Sequence, residues 1–223
     1  MSTAETSRRT QQRSLETRAA LLDAAIDAFT TRGFDGISVR QLEELAGVKR
    51  GLVAYHFGDK EGLWRGAVDR LFAQMGERFG GRMTAFADLP DREAARAVVR
   101  AFVRFSAEHP ELNRLMLQEC AGASWRVDYI VGEHVGPMLD GLRRVLPGAH
   151  ALLYGTGDAQ ATAHRYYLFV GAAAFVFSAE HECRGLFGVS PREPDFVDRH
   201  ADLVTDMLIP AAGGDIPGEG GEG

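Results

Sequence analysis

The chain is poor in everything that staples or anchors a protein. It has only two cysteines, Cys120 and Cys183, too few and too far apart for a disulfide framework or a zinc site. A reducing compartment is the simplest expectation, and 223 residues can bury a core without crosslinks. No run of about 18 to 20 apolar residues is present to span a bilayer. Residues 1–20 are polar and charged where a signal peptide would carry an apolar stretch. The expectation is a soluble, cytoplasmic protein with no membrane partner. Positive charge is scarce as well: the formal net charge of −6 excludes a protein that coats nucleic acid indiscriminately.

The charge is unevenly spread. Residues 1–66 sum to +1 and the remainder to −7, so any DNA-facing surface belongs to the N-terminal third, the plain alternative being an ordinary solvated face. Residues 1–13 and 211–223 lack apolar periodicity, and the C-terminal AAGGDIPGEGGEG is rich in glycine and acid; both are expected to be disordered.

Between these ends the apolar residues recur at helical spacing, which predicts an all-α protein of nine helices. The first runs from about Ser14 to Thr31, with Leu22, Ala25, Ile26 and Phe29 on one stripe and Gly33 ending it. Ser38-Val39-Arg40-Gln41 reads as a capping box opening a short second helix. Gly47 supplies a sharp turn before a third short helix, Lys49 to Phe57. Asp59 is the expected cap of a long fourth helix with a broad apolar face from Leu63 to Phe79. Helices over 91–108, 111–121 and 124–146 follow, the last kinked at Gly136-Pro137. Residues 148–158 read as a loop. An eighth helix, Ala159 to Phe187, is the most apolar, and a ninth lies between Pro194 and Pro210.

The segment LLDAAIDAFTTRGFDGISVRQLEELAGVKRGLVAYHFGDKEGL, Leu22 to Leu63, closely resembles the DNA-binding domain of the TetR family of regulators. Its ordered pieces are the alanine-rich helix, Gly33-Phe34, the Ser-capped helix, Ala46-Gly47-Val48, His56-Phe57 and Lys60-Glu61. HPELNRLMLQE, His109 to Glu119, also looks like a stretch in the ligand-binding half of many members. The resemblance implies a nine-helix TetR-like fold. Its parts would be an arm at 1–13, a helix-turn-helix domain at 14–66, a helical ligand-binding and dimerisation domain at 67–210, and a tail. Two short helices about a tight turn can lay the second in the major groove. By resemblance Lys49, Arg50, Leu52 and Val53 face base edges or flanking phosphates, with Arg50 best suited to a bidentate guanine contact. Tyr55, His56, Lys60 and Ser38 fall where phosphates are held. Val53, Tyr55 and Phe57 read equally as core of a small helical domain.

Two positions depart from the family pattern. Ala54 stands where an aromatic residue or serine is common, which puts one phosphate contact in doubt or transfers it to Tyr55. Glu43 stands where alanine is usual, beside the turn; it must point outward or find a partner, since an unpaired buried carboxylate is costly. The crossing of the two helices is therefore expected to be looser than usual.

The resemblance further implies a homodimer through helices at about 159–187 and 194–209, which are apolar on more than one face, with burial at the centre of a monomer as the alternative. An aromatic set, Phe86, Phe102, Phe105, Met116, Trp125, Tyr129, Tyr166 and Phe169, either lines an effector cavity or is plain core. The overall expectation is a repressor released from a palindromic operator by a small, largely apolar molecule. A ligand-independent regulator and a redox-responsive one acting through Cys120 or Cys183 are the rivals. Enzyme chemistry finds no support: His109, His134, His164, His181 and His200 fall in no metal-ligand motif, and no nucleophile or phosphate-loop motif appears. No cofactor is expected.

Overall fold

A computed structural model describes residues 3–211, which contain helices and connecting turns and, among the described residues, no strand. The helices are α1 (Thr3–Arg32), α2 (Val39–Leu45), α3 (Leu52–Phe57), α4 (Lys60–Ala87), α5 (Asp91–Glu108), α6 (Pro110–Glu119), α7 (Trp125–Ile130), α8 (Gly136–Val145), α9 (Pro147–Tyr154), α10 (Ala159–Ser178), α11 (Glu180–Phe187) and α12 (Pro194–Leu208). The all-α class and the stops of the first three helices follow the sequence reading, although α3 begins at Leu52 rather than at Lys49. The arm expected over residues 1–13 is, from Thr3 onward, the start of α1. The tail expected from residue 211 lies, from 212, outside the described residues.

Three further departures have local causes. The kink expected at Gly136-Pro137 is a π-turn, Val131–Val135, between α7 and α8, in which the Gly136 N–H reaches the Val131 carbonyl. Pro137 has no N–H to offer and its ring crowds the carbonyl four residues back, so the helix widens just before it. The loop expected at 148–158 contains α9, with Pro147 in its first turn, a position proline favours. Gly148 there is a close-approach residue: a Cβ would sit 1.9 Å from the Asp91 carboxyl carbon. The single helix expected from 159 to 187 breaks at Ala179 into α10 and α11.

The chain forms two compact units, residues Met1–Arg78 with Glu111–Pro137, and Phe79–Pro110 with Met138–Gly223. The first buries Leu21, Leu22, Ala25 and Phe29 of α1 with Leu42, Val53, Leu63, Trp64, Val68, Leu115 and Ile130. α6 and α7 thus pack on the N-terminal helices. The second unit is built round α5, which packs on α9, α10 and α12. Val99, Val103, Tyr154, Phe169, Phe177 and Val204 fill its core. On its surface Arg96, Arg100 and Arg104, one per helical turn of α5, pair with Asp206, Asp202 and Asp198 of α12, and Arg92 donates to the Pro210 carbonyl.

Candidate nucleic-acid interface

The connection between α2 and α3 carries the densest backbone chemistry of the first unit. α2 opens with the expected box: Ser38 Oγ accepts the Gln41 N–H at 3.3 Å and Gln41 Oε1 accepts the Ser38 N–H at 2.9 Å. It closes with two bonds that need the turn of Gly47, whose φ is 65°. The Val48 N–H donates to the Glu43 carbonyl at 3.0 Å and the Gly47 N–H to the Glu44 carbonyl at 3.2 Å, a Schellman closure.

α3 then starts after Gly51, which has φ 86° and no side chain with which to cap the helix. Glu43 supplies the cap from α2. Its side chain is buried, 4% exposed, and Oε1 accepts the Val53 N–H at 3.0 Å. A carboxylate at a helix start is also favoured by the helix dipole. The looser crossing expected from a glutamate at this position is corrected: Glu43 has a partner, and the two helices are latched.

The structure leaves Lys49 and Arg50 exposed just ahead of α3, with Tyr55 76% exposed on it and edge-on to the half-buried His56 at 4.9 Å. Ser38 is exposed with its hydroxyl committed to Gln41. Leu52 is half-buried. Val53 is fully buried, which corrects its placement among outward-facing residues: its side chain joins the core and its N–H meets Glu43. Lys60 lies with Nζ 4.3 Å from the centre of the Phe34 ring, where a cation–π contact holds it. Asp59 caps α4, its Oδ1 accepting the Gly62 N–H at 2.8 Å. Glu44 pairs with Arg40 at 2.8 Å, and that hydrogen bond, with Arg40's charge, holds its carboxyl below the usual range.

The residues expected to line an effector cavity divide between the units. Met116, Trp125 and Tyr129 pack against the core of the first. Trp125 is edge-on to Trp64 at 5.1 Å. Tyr129 donates to Asp69 Oδ1 at 2.7 Å, and burial followed by that bond pushes its phenol up to about 12. Phe102, Tyr166 and Phe169 belong to the second unit with Tyr154, whose ring lies 6.0 Å from Phe169 and 6.1 Å from Tyr166. Phe105 packs there on Phe79. Tyr154 was hidden in sequence by the glycines round it; the apolar run Ala151 to Leu153 after Pro147 was the available signal.

Sequence reasoning also missed the ties of α6 and α7 to the N-terminal helices. Glu119, 6% exposed, accepts from Trp64 Nε1 at 3.2 Å and from Arg126 Nε at 2.6 Å. The Arg126 guanidinium also lies 4.7 Å from the Phe34 ring centre. Gln118 donates to the Thr30 carbonyl at 3.0 Å.

Two short helices held round a capped turn, with cations at the start of the second, define a helix-turn-helix protein. Residues 21–66 match the model of the bacterial regulatory proteins of the tetR family. RutR of Escherichia coli, a helix-turn-helix transcriptional regulator, is 30% identical over 118 residues, 52% of this chain and 54% of RutR, so the chain spans about half the length of this relative. NicS of Pseudomonas putida, a transcriptional repressor, is 27% identical over 94% of this chain and 98% of its own. AibR, solved with isovaleryl coenzyme A and operator DNA, shares the fold with a TM-score of 0.63 at 17% identity, covering 87% of this chain and 98% of AibR. Over residues 21–66 the chain is thus similar to the tetR family. The matched relatives are regulators rather than enzymes. No helix among the described residues is long and apolar enough to cross a membrane.

Proposed function

We propose that the protein is a transcriptional repressor that binds a palindromic operator as a homodimer and is released by a small, largely apolar effector. The observation that carries this is α3, fixed at its start by Glu43 and presenting Lys49, Arg50 and Tyr55 to solvent. One such helix contacts few base pairs, so two related by a symmetry axis are needed. α10 and α12 supply the surface for pairing: Leu168, Phe175, Leu203 and Met207 are 55% to 67% exposed, contrary to a helix buried in the centre of a monomer. The effector would act in the second unit, where Phe102, Tyr154, Tyr166 and Phe169 converge. It releases DNA only by binding one conformation better than another, and coupling of about 1–3 kcal/mol is typical. The ligand seen with AibR puts acyl thioesters first in a screen.

The test is selection of bound fragments from random duplex DNA by the purified protein, followed by a screen of metabolites for release. An inverted repeat with half-sites about one helical turn apart is expected. A monomer that binds a single half-site as tightly as the full repeat overturns the reading.

A further inference from the structure

α1 is longer than its core requires. Its first fully buried residue is Leu21, and residues 7–13 are all exposed. At about 1.5 Å per residue, the part from Ser7 to Ala20 runs roughly 21 Å without one fully buried side chain. Leu15 is its only large apolar side chain, so no stripe exists for a protein partner or a bilayer. It carries arginines instead, at 8, 9, 13 and 18.

Among the described residues Arg8, Arg9 and Arg13 have no ion-pair partner, whereas Arg70, Arg96, Arg100, Arg143, Arg184 and Arg199 each meet a carboxylate. Arg18 fixes where this segment departs. Its guanidinium lies 5.0 Å from the ring centre of Phe57, the last residue of α3. Leu22 is held there too: a Cβ on Gly66 would meet both Leu22 and Phe57 within 3.3 Å. The projecting turns therefore leave the domain at the end of α3 that carries Tyr55 and His56. Along the helix Arg13 stands about 7.5 Å and Arg9 about 13.5 Å beyond Arg18.

We infer that the projecting turns of α1 are a second DNA-contact surface, on which Arg8, Arg9 and Arg13 hold backbone phosphates flanking the groove read by α3. This rests on the DNA-binding reading above. Duplex DNA presents about one phosphate charge per 1.7 Å of axis, and arginine forks match phosphate oxygens without reading sequence.

The test compares the full chain with the triple variant R8Q/R9Q/R13Q, which keeps helix propensity. The probes are a selected operator duplex and a random duplex. The expected result is an equal fold-loss on both, and a slope of log affinity against log salt that is shallower by about 0.9 for each arginine. Hydroxyl-radical protection should disappear from phosphates outside each half-site while groove contacts stay. Unchanged salt slope and protection, in a background where the parent binds its operator, overturns the inference and leaves the repressor reading standing. Weaker binding with the same phosphates protected overturns it as well, because the arginines would then act only as a diffuse field. Failure of the parent to bind any duplex defeats both readings.

Discussion

Glu43 closes one helix and opens the next: its carbonyl accepts the Val48 N–H at the end of α2, and its carboxylate accepts the Val53 N–H at the start of α3. The angle of α3 is thereby tied to one residue of α2. Glu43→Ala is expected to cost about 1–3 kcal/mol, because the buried Val53 N–H loses its acceptor. Specific operator binding should fall further than binding to random duplex. Glu43→Gln keeps an acceptor oxygen and should retain most of both. Urea melts and paired binding isotherms make the comparison.

Arg50 and Lys60 are expected to fail differently. Arg50→Ala should cost about 1–3 kcal/mol at one base position and relax preference there, with an unchanged melting temperature since the side chain is exposed. Lys60→Ala should weaken all sequences alike, lower the salt slope by about one, and reduce stability slightly through loss of its contact with Phe34. Equal loss on operator and random duplex for Arg50→Ala would make it a backbone contact only.

Glu119 is buried and its partner Arg126 half-buried, so removing the arginine should be severe. Arg126→Ala leaves a buried carboxylate unpaired and is expected to cost about 3–5 kcal/mol. The double variant E119Q/R126M removes both charges but keeps an acceptor for Trp64 Nε1, and should recover most of that loss. If the double variant is as unstable as Arg126→Ala, the charge argument fails and packing is responsible.

His200 makes stability depend on pH. Its Nε2–H donates to the Ala172 carbonyl at 2.9 Å, between Phe196 and Phe177, and burial lowers its pKa although that bond acts the other way. The unfolded chain therefore binds a proton more readily, near about 6.5. The stability from neutral His200 is fully present above that pH and is lost as the pH falls through the lower folded value. Melting temperatures measured from pH 7.5 to 5 should decline, and His200→Gln should flatten the decline.

Periodicity made most helices legible, and the turn residues made the helix-turn-helix legible, because Ser38, Gly47 and Asp59 act on neighbours within a few positions. What stayed hidden depends on distance. Glu43 and Val53 are ten residues apart, and nothing in the sequence says that a carboxylate in one helix reaches the amide of another. The N-terminal turns of α1 have no apolar stripe, so a helix there leaves no periodic trace. Aromatic composition could not say that Trp125 and Tyr129 pack in one unit while Phe102 and Phe169 pack in the other.

The arginine ladder of α5 repeats every four residues, and so does its aspartate counterpart on α12. A pattern with that pitch matches itself again after a slide of four residues, about 6 Å, with only a terminal rung lost. The ion pairs therefore act as a rail rather than a stop: they resist rotation of α12 about its axis but do not choose its position along α5. That choice falls to contacts outside the ladder: the Arg92 bond to the Pro210 carbonyl, the His200 bond to the Ala172 carbonyl, and the fit of Ala201 and Val204 in the core. A substitution enlarging Ala201 would be expected to shift α12 along the rail before it separated the helices.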